Sequence, residues 1–161
     1  MDNPGSTGSG GVARRASHYR RPGRSTRLLN WVVRSLATSG VSLMGTRVIE
    51  VRGRVSGEPR TTVVNLLDFG GHQYLVSPRG TTDWVRNLRA DEGRVVVRLG
   101  RRRAQRRAIE LADGTAKFDV LRAYLKKWRF EVGVFFEDVG PGASDAEFAA
   151  IGARHPVFQL S

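Results

Sequence analysis

Hydrophobic and polar positions alternate in short runs along the middle of the chain, which is the pattern of β-strands. Val95, Val97 and Leu99 recur at every second position, as one face of a half-buried strand requires. Similar runs, rich in β-branched or apolar residues and separated by turn residues, lie at 48–52, 61–67, 72–76, 94–99, 102–111 and 155–160. Successive hairpins with few helices predict a mainly β, α+β fold: an antiparallel barrel or sandwich with flanking helices.

Helical periodicity indicates a few helices around these strands. Apolar residues recur every three or four positions across 25–38, beside arginines, which predicts a basic amphipathic helix. A short helix is predicted over 83–90, with Asp83 as its N-cap, and a longer one begins after Asp113, which we expect to cap it. The run 144–147 is a capping box that opens a last short helix.

The N-terminal residues differ in composition from the rest of the chain. Residues 1–24 are mostly Gly, Ser, Pro and Arg, which predicts a disordered basic arm. Residues 25–161 are expected to form one domain that includes helix 25–38. That helix either packs on the domain or makes a peripheral contact with a membrane surface, and both alternatives stay open.

Composition removes several classes of chemistry. The chain of 161 residues has no cysteine, which excludes disulfides, zinc fingers and thiol nucleophiles. Its 3 histidines lie far apart in sequence, so no metal site is expected. No apolar run reaches the roughly 20 residues of a membrane span, and we expect no signal peptide. We therefore expect a cytoplasmic protein, with a peripheral position at the inner membrane face as the alternative.

The chain is strongly basic. Lys and Arg number 27 against 15 acidic residues, for a net charge of +12, so the protein attracts nucleic acid, anionic lipid or a small ligand with several phosphates or carboxylates. The run "RRRAQRR" at 101–107 would serve a nucleic-acid interface. Because no aromatic ladder accompanies it and alternate residues of a strand face opposite sides, we expect no specific nucleic-acid partner.

The first motif that carries chemistry is "GRVSGEPRTT" at 53–62. Its glycines bound a turn, and the turn leads into a strand with two hydroxyl side chains. Arginine forks beside hydroxyls bind phosphate or carboxylate groups. The candidate ligands of such a group are Arg54, Ser56, Arg60, Thr61 and Thr62.

The second motif is "VSPRGTTDWVRNLRA" at 76–90. A strand ends in a turn formed by Ser77, Pro78, Arg79 and Gly80, and a helix follows directly. Backbone N–H groups at a helix start, beside an arginine and a glycine, favour an anion. Trp84 and Asn87 lie on that helix.

The two motifs together resemble the deazaflavin-dependent nitroreductase family of actinobacteria. The shared pattern is Gly-Arg-x-Ser-Gly-x-x-Arg, then a turn with Ser and Gly, then Trp-x-x-Asn-Leu, and the likeness covers roughly residues 27–160, including the closing "HPVF". The resemblance implies a split β-barrel related to the FMN-binding pyridoxamine-phosphate-oxidase barrels. It also implies a reductase that uses coenzyme F-420 and transfers hydride to a quinone, an activated alkene or a nitro compound.

The resemblance also assigns the site. It implies that the coenzyme, whose tail carries a phosphate and several glutamates, is held by Arg54, Ser56, Arg60, Thr61, Thr62, Ser77, Pro78, Arg79, Gly80, Trp84 and Asn87. Ser77 is the candidate catalytic residue, with Tyr124 as a second candidate proton donor. Where members of the family carry tyrosines after the last long helix, this chain offers Phe130, Phe135 and Phe136, which predict an apolar site for a small-molecule acceptor.

Other interpretations stay open from sequence. The same barrel serves FMN or FAD, and it could bind a flavin or a lipid without reductase activity; a basic nucleic-acid-binding barrel is a further alternative. The protein is expected to be a monomer or a homodimer.

Overall fold

A computed structural model describes residues 45–161. The predicted arm 1–24 and the predicted amphipathic helix 25–38 lie outside these residues. The strands are β1 (Thr46–Arg52), β2 (Pro59–Phe69), β3 (His72–Val76), β4 (Arg94–Leu99), β5 (Arg102–Glu110) and β6 (Val157–Leu160). The helices are α1 (Asp83–Ala90), α2 (Thr115–Val132) and α3 (Asp145–Gly152), with a single 3₁₀ turn at Gly133–Phe135.

The six strands close into an antiparallel barrel in the order β1-β2-β3-β6-β5-β4. This confirms the predicted split-barrel fold class, and the strand boundaries differ from prediction by at most two residues. Strand β1 pairs with β4 only from Val48 to Glu50, opposite Arg98 to Val96. Beyond Glu50, β1 stays paired with β2 but not with β4, and it leads into the turn that carries the first motif.

Two apolar clusters hold the molecule together. The barrel interior is filled from several strands, among others by Ile49, Leu75 and Phe158, and α1 adds Val85 and Leu88 to the same cluster. Burial of these two α1 side chains fixes the helix against one end of the barrel. The second cluster packs α2 and α3 against the outside of the barrel, with Trp128, Tyr124 and Phe136 at its centre.

Two of the three predicted helix caps are wrong. Thr82, in extended conformation, is the N-cap of α1, and Asp83 is its first helical residue. Gly114 is the N-cap of α2. The Asp113 carboxylate instead accepts a hydrogen bond from the buried ammonium of Lys117 at 2.7 Å. The capping box of α3 is confirmed: the Ser144 side chain accepts from the Glu147 N–H, and the Glu147 carboxylate accepts from the Ser144 N–H.

Over residues 45–161, none of the helices combines the length and the apolar character that crossing a membrane requires.

Candidate functional site

The turn between β1 and β2 is shaped by its own hydrogen bonds. The Gly53 N–H donates to the Glu58 carbonyl at 2.8 Å, and the Gly57 N–H donates to the Gly53 carbonyl at 2.8 Å. Gly57 has φ +71°, a left-handed conformation that favours glycine. The Ser56 hydroxyl accepts from the Glu58 N–H at 3.3 Å and lies 3.4 Å from the Arg60 guanidinium. The first motif is therefore an ordered turn with the hydroxyl of Ser56 and the guanidinium of Arg60 on one side.

Arg54 connects this turn to helix α1. The Asn87 side-chain oxygen accepts from the Arg54 backbone N–H at 3.2 Å and from its guanidinium at 2.9 Å. The other guanidinium nitrogen donates to the Asp83 carboxylate at 3.2 Å. Since Arg54 is already bonded to two side chains of α1, its main effect is to hold the two motifs together.

Between the turn, the start of β2 and α1 lies the first cavity, with a volume of about 440 Å³. Trp84 forms part of its wall and is held by contact with Phe158, with ring centroids 5.8 Å apart. Seven of the residues predicted to bind the coenzyme line this cavity: Arg54, Ser56, Arg60, Thr61, Thr62, Trp84 and Asn87. The fold thus brings together two motifs that are separate in the sequence.

The turn after β3 has a different environment. The Ser77 hydroxyl donates to the Gly80 carbonyl at 2.6 Å and lies 3.4 Å from the Thr82 hydroxyl, and Ser77 is only 1% exposed. The Gly80 N–H donates back to the Ser77 carbonyl at 3.2 Å. Ser77 therefore stabilises its own turn, and the catalytic role of its hydroxyl stays a prediction.

Pro78, Arg79 and Gly80 line a second cavity, of about 480 Å³, together with Phe135 and His155. The Arg79 guanidinium lies over the Phe135 ring, 5.6 Å from its centroid. Arg154 also lines this cavity and is paired with Glu137. The eleven predicted coenzyme ligands are thus divided: seven surround the first cavity and three surround the second, while Ser77 is buried in the turn beside them.

The three phenylalanines predicted to bind the acceptor do not form one cluster. Phe130 is fully exposed, whereas Phe136 is buried and stacks on His155 with ring centroids 4.2 Å apart. Phe135 lines the second cavity. The prediction that the three form one cluster is wrong. The end of α2 is irregular, so the three side chains face different surroundings: solvent, the second cavity and the core.

His155 is a residue of the second cavity that sequence reasoning missed. It is 4% exposed, and its Nδ1 atom is buried without a hydrogen-bond partner. Burial lowers the pKa of this histidine, the nearby backbone oxygens of Pro78 and Ser77 partly offset that effect, and the charges of Arg154 and Lys117 add to it. Its position directly before the closing strand, in "HPVF", is the one signal that the sequence offers.

A third cavity, of about 530 Å³, was also not anticipated. It lies where β1 separates from β4, between the first motif and β5, and four arginines line it: Arg52, Arg94, Arg106 and Arg107. Arg94 is paired with Asp91 at 2.9 Å. A smaller cavity that includes Arg52, Gly57 and Asp91 also includes Arg54 and Ser56, so it connects the third cavity with the first along the turn.

Within the described part of the chain, no group of three or more His, Cys, Asp or Glu side chains is arranged to hold a metal ion.

Solved structures that are similar to this chain include these three. An F420-H2 dependent reductase, FDR-A, is 18% identical, with 73% of this chain and 94% of that chain covered and a TM-score of 0.49. A structure described as a domain-swapped dimer is 17% identical, with 86% and 94% covered and a TM-score of 0.52. A protein of unknown function from Agrobacterium tumefaciens is 18% identical, with 81% and 53% covered and a TM-score of 0.50. The likenesses with TM-scores of 0.52 and 0.50 concern the fold alone.

The sequence itself identifies the family. No protein with curated annotation matches the chain significantly. The family model described as F420H2-dependent quinone reductase matches residues 25–128. That match spans more than half of the chain and contains both motifs that surround the first cavity, so the chain belongs to the F420H2-dependent quinone reductase family.

Proposed function

We propose that this protein binds reduced F-420 in the first cavity and transfers hydride to a quinone that enters the second. The observation that carries the proposal is the first cavity itself, in which the fold joins the two motifs through Arg54 and Asn87. Thr81 lines the second cavity and Asp83 lines the first, so the two cavities lie on either side of the segment 81–83. Direct hydride transfer would require the coenzyme ring and the quinone to come into contact beside this segment.

The donor groups of the first cavity fit an aromatic coenzyme with a phosphate in its tail. Arg60 is an exposed guanidinium whose one side-chain contact is long, at 3.4 Å to Ser56. Together with the hydroxyls of Ser56, Thr61 and Thr62, it offers the charge-assisted and neutral donors that bind phosphate. Trp84 gives the opposite wall an apolar ring face, as a flat ring system requires.

The third cavity suits the acidic end of the coenzyme tail. The exposed guanidinium groups of Arg52, Arg106 and Arg107 lie along it, and it follows the same turn as the first cavity. The two carboxylate side chains in its lining, Glu50 and Asp91, are paired with arginines. A tail with several glutamates would gain favourable electrostatic energy there, because each carboxylate approaches cations rather than bulk water. The net charge of +12 favours the same ligand over long range.

The second cavity combines an apolar ring with a cation. Phe135 and Arg79 would lie against the ring and an oxygen of a quinone, respectively. When bound, the reduced coenzyme supplies a hydride, and the quinone takes up one further proton to become a hydroquinone. Activated alkenes and nitro compounds are the alternative acceptors.

The two hydroxyls named from the sequence as proton donors are both buried. Ser77 donates within its own turn. Tyr124 is buried in the helix cluster, and burial raises its pKa to about 12. Ser77 stays the predicted proton donor, and the surrounding residues bind and orient the two reactants and exclude water around them.

Titration of the purified protein with F-420, FMN and FAD, followed by fluorescence, tests the coenzyme assignment. We expect F-420 to bind and FMN and FAD to bind much more weakly. Tight flavin binding without an F-420 signal would contradict the proposal and favour the flavin alternative.

Stopped-flow oxidation of the reduced coenzyme, with a panel of quinones, enones and nitroaromatics, tests the acceptor class. We expect quinones to accelerate oxidation most. If no acceptor accelerates it over the enzyme-free control, the protein is a coenzyme binder without this reductase activity.

Of the two oligomeric states expected from sequence, the neighbour that is a domain-swapped dimer favours the homodimer. Sedimentation velocity of the full chain tests it.

A further inference from the structure

Three apolar side chains are exposed within six residues at the end of α2 and the 3₁₀ turn. Phe130 is 103% exposed, Val134 is 78% exposed and Phe135 is 36% exposed. Other exposed large apolar residues, such as Val55, Phe69 and Ile109, lie singly on separate elements. Scattered apolar residues are normal on a protein surface, whereas a local group of them marks a contact site.

The backbone conformation of this segment keeps the side chains of Phe130 and Val134 exposed. Trp128 has non-helical angles, φ −127° and ψ 23°, so α2 is kinked there. Beyond the kink, Val132 and Phe136 are buried in the helix cluster, and Phe130 and Val134 face solvent. The buried partners hold the segment in place, so Phe130 and Val134 cannot turn inward without removing other side chains from the core.

Basic residues surround the exposed apolar group. Lys126, Lys127 and Arg129 are exposed on the last turns of α2. Arg79 lies over Phe135 from the neighbouring turn. The acidic residues among positions 126–138 are Glu131, Glu137 and Asp138, and Glu137 is paired with Arg154. We call the group of Lys126, Lys127, Arg129, Phe130, Val134 and Phe135 the Phe130 surface.

We propose that the Phe130 surface docks on an anionic lipid bilayer. Aromatic and aliphatic side chains ringed by lysine and arginine match the apolar interior and the anionic headgroups of such a bilayer. The surface is continuous with the second cavity, because Phe135 belongs to both and Arg79 lies on Phe135. A lipid-soluble quinone would then reach its cavity from the bilayer; this last link rests on the proposed function, but the docking surface does not.

Co-sedimentation of the full chain with vesicles tests the proposal without coenzyme or acceptor, so its outcome is separate from that of the proposed reaction. We expect binding to vesicles of equimolar phosphatidylcholine and phosphatidylglycerol, and much less binding to phosphatidylcholine alone. The double variant Phe130→Ser/Val134→Ser should lower the partition coefficient at least about tenfold, since two apolar side chains no longer enter the bilayer. Lys126→Gln/Arg129→Gln should lower binding to the anionic vesicles and leave binding to phosphatidylcholine vesicles unchanged.

Matched controls separate this surface from other routes to the membrane. Phe69→Ser changes an exposed apolar residue on β2, and Arg101→Gln/Arg102→Gln removes two exposed cations elsewhere. Both should bind like the parent protein, and circular dichroism should show all variants folded. Failure of the parent to bind anionic vesicles would overturn the proposal, as would equal losses in the controls.

Two further outcomes would assign the Phe130 surface to another occupant. Undiminished vesicle binding by Phe130→Ser/Val134→Ser would place the membrane contact elsewhere, such as in segment 25–38. A change from dimer to monomer in sedimentation velocity, with vesicle binding unchanged, would make the surface a contact between two copies of the chain. Either result would overturn lipid docking by this surface.

Discussion

The side-chain oxygen of Asn87 accepts two hydrogen bonds from Arg54, one from its backbone N–H at 3.2 Å and one from its guanidinium at 2.9 Å. The two residues are 33 positions apart in the chain. Asp83, one turn before Asn87 on the same helix, adds an ion pair to Arg54 at 3.2 Å. The turn of the first motif and the helix of the second therefore form one unit, and the wall of the first cavity depends on it.

Asn87→Ala should destabilise the protein and loosen this unit. Asn87 is buried, and its loss leaves the Arg54 N–H without that acceptor, which costs about 1–3 kcal/mol in the free energy of unfolding. Urea unfolding measures the change, and Gln105→Ala, at an exposed amide on β5, is the control. An unchanged urea midpoint for Asn87→Ala would show that this contact contributes nothing to stability. Coenzyme affinity should fall as well, because Arg54 no longer holds the turn.

Arg60→Ala and Arg79→Ala should separate coenzyme binding from acceptor binding. Because Arg60 lines the first cavity, its loss should weaken F-420 binding by about 1.5–3 kcal/mol, the range for charge-assisted hydrogen bonds. Because Arg79 lines the second cavity, its loss should raise KM for the quinone more than the coenzyme Kd. Fluorescence titration and steady-state kinetics measure the two effects, with Arg101→Ala, which lines neither cavity, as the control. Equal coenzyme weakening in both variants would mean that the coenzyme spans both cavities.

His155 should make stability depend on pH. Burial lowers its pKa in the folded protein, whereas an unfolded histidine has a pKa of about 6.5. The unfolded chain therefore binds more protons below that pH, so the free energy of unfolding should fall as the pH decreases through about 6.5 and level off below the folded pKa. Urea unfolding between about pH 7.5 and 5.5 measures this slope.

The matched variants for this pH dependence are His155→Gln and His72→Gln, the second at an exposed histidine on β3. His155→Gln should flatten the slope, and His72→Gln should retain it. A slope that persists in His155→Gln would assign the pH dependence to other groups.

Gly93→Ala should cost more stability than Gly70→Ala. Both glycines have positive φ, +78° and +57°, so both substitutions strain the backbone. An added Cβ at Gly93 would lie 2.1 Å from the Ala108 carbonyl oxygen, whereas nothing lies within 4 Å of one at Gly70. We expect a loss of about 1 kcal/mol for Gly70→Ala and more than about 2 kcal/mol for Gly93→Ala, measured by urea unfolding. Equal losses would show that β5 moves aside without cost.

The alternation of apolar and polar residues predicted the strands because side chains of a strand alternate between two faces and the barrel buries one of them. The position of helix 83–90 followed from local periodicity, and the start of the last helix followed from the capping box at 144–147, which depends on neighbouring residues only. The two motifs also predicted most of the residues that line the first cavity, because each motif follows directly on a predicted strand. These features depend on short-range geometry, which the order of residues encodes directly.

Other features depend on contacts between distant residues, and only the tertiary structure decided them. Arg54 and Arg60 look alike in the motif, but α1 engages Arg54 and leaves Arg60 exposed beside Ser56. The hydroxyl of Ser77 could have faced a ligand, but its turn folds back so that Gly80 accepts its hydrogen bond. Phe130 and Phe136 are equally apolar, yet the kink at Trp128 exposes one and buries the other. The burial of a side chain depends on which other helices and strands pack against it, and that packing exists only in the folded chain.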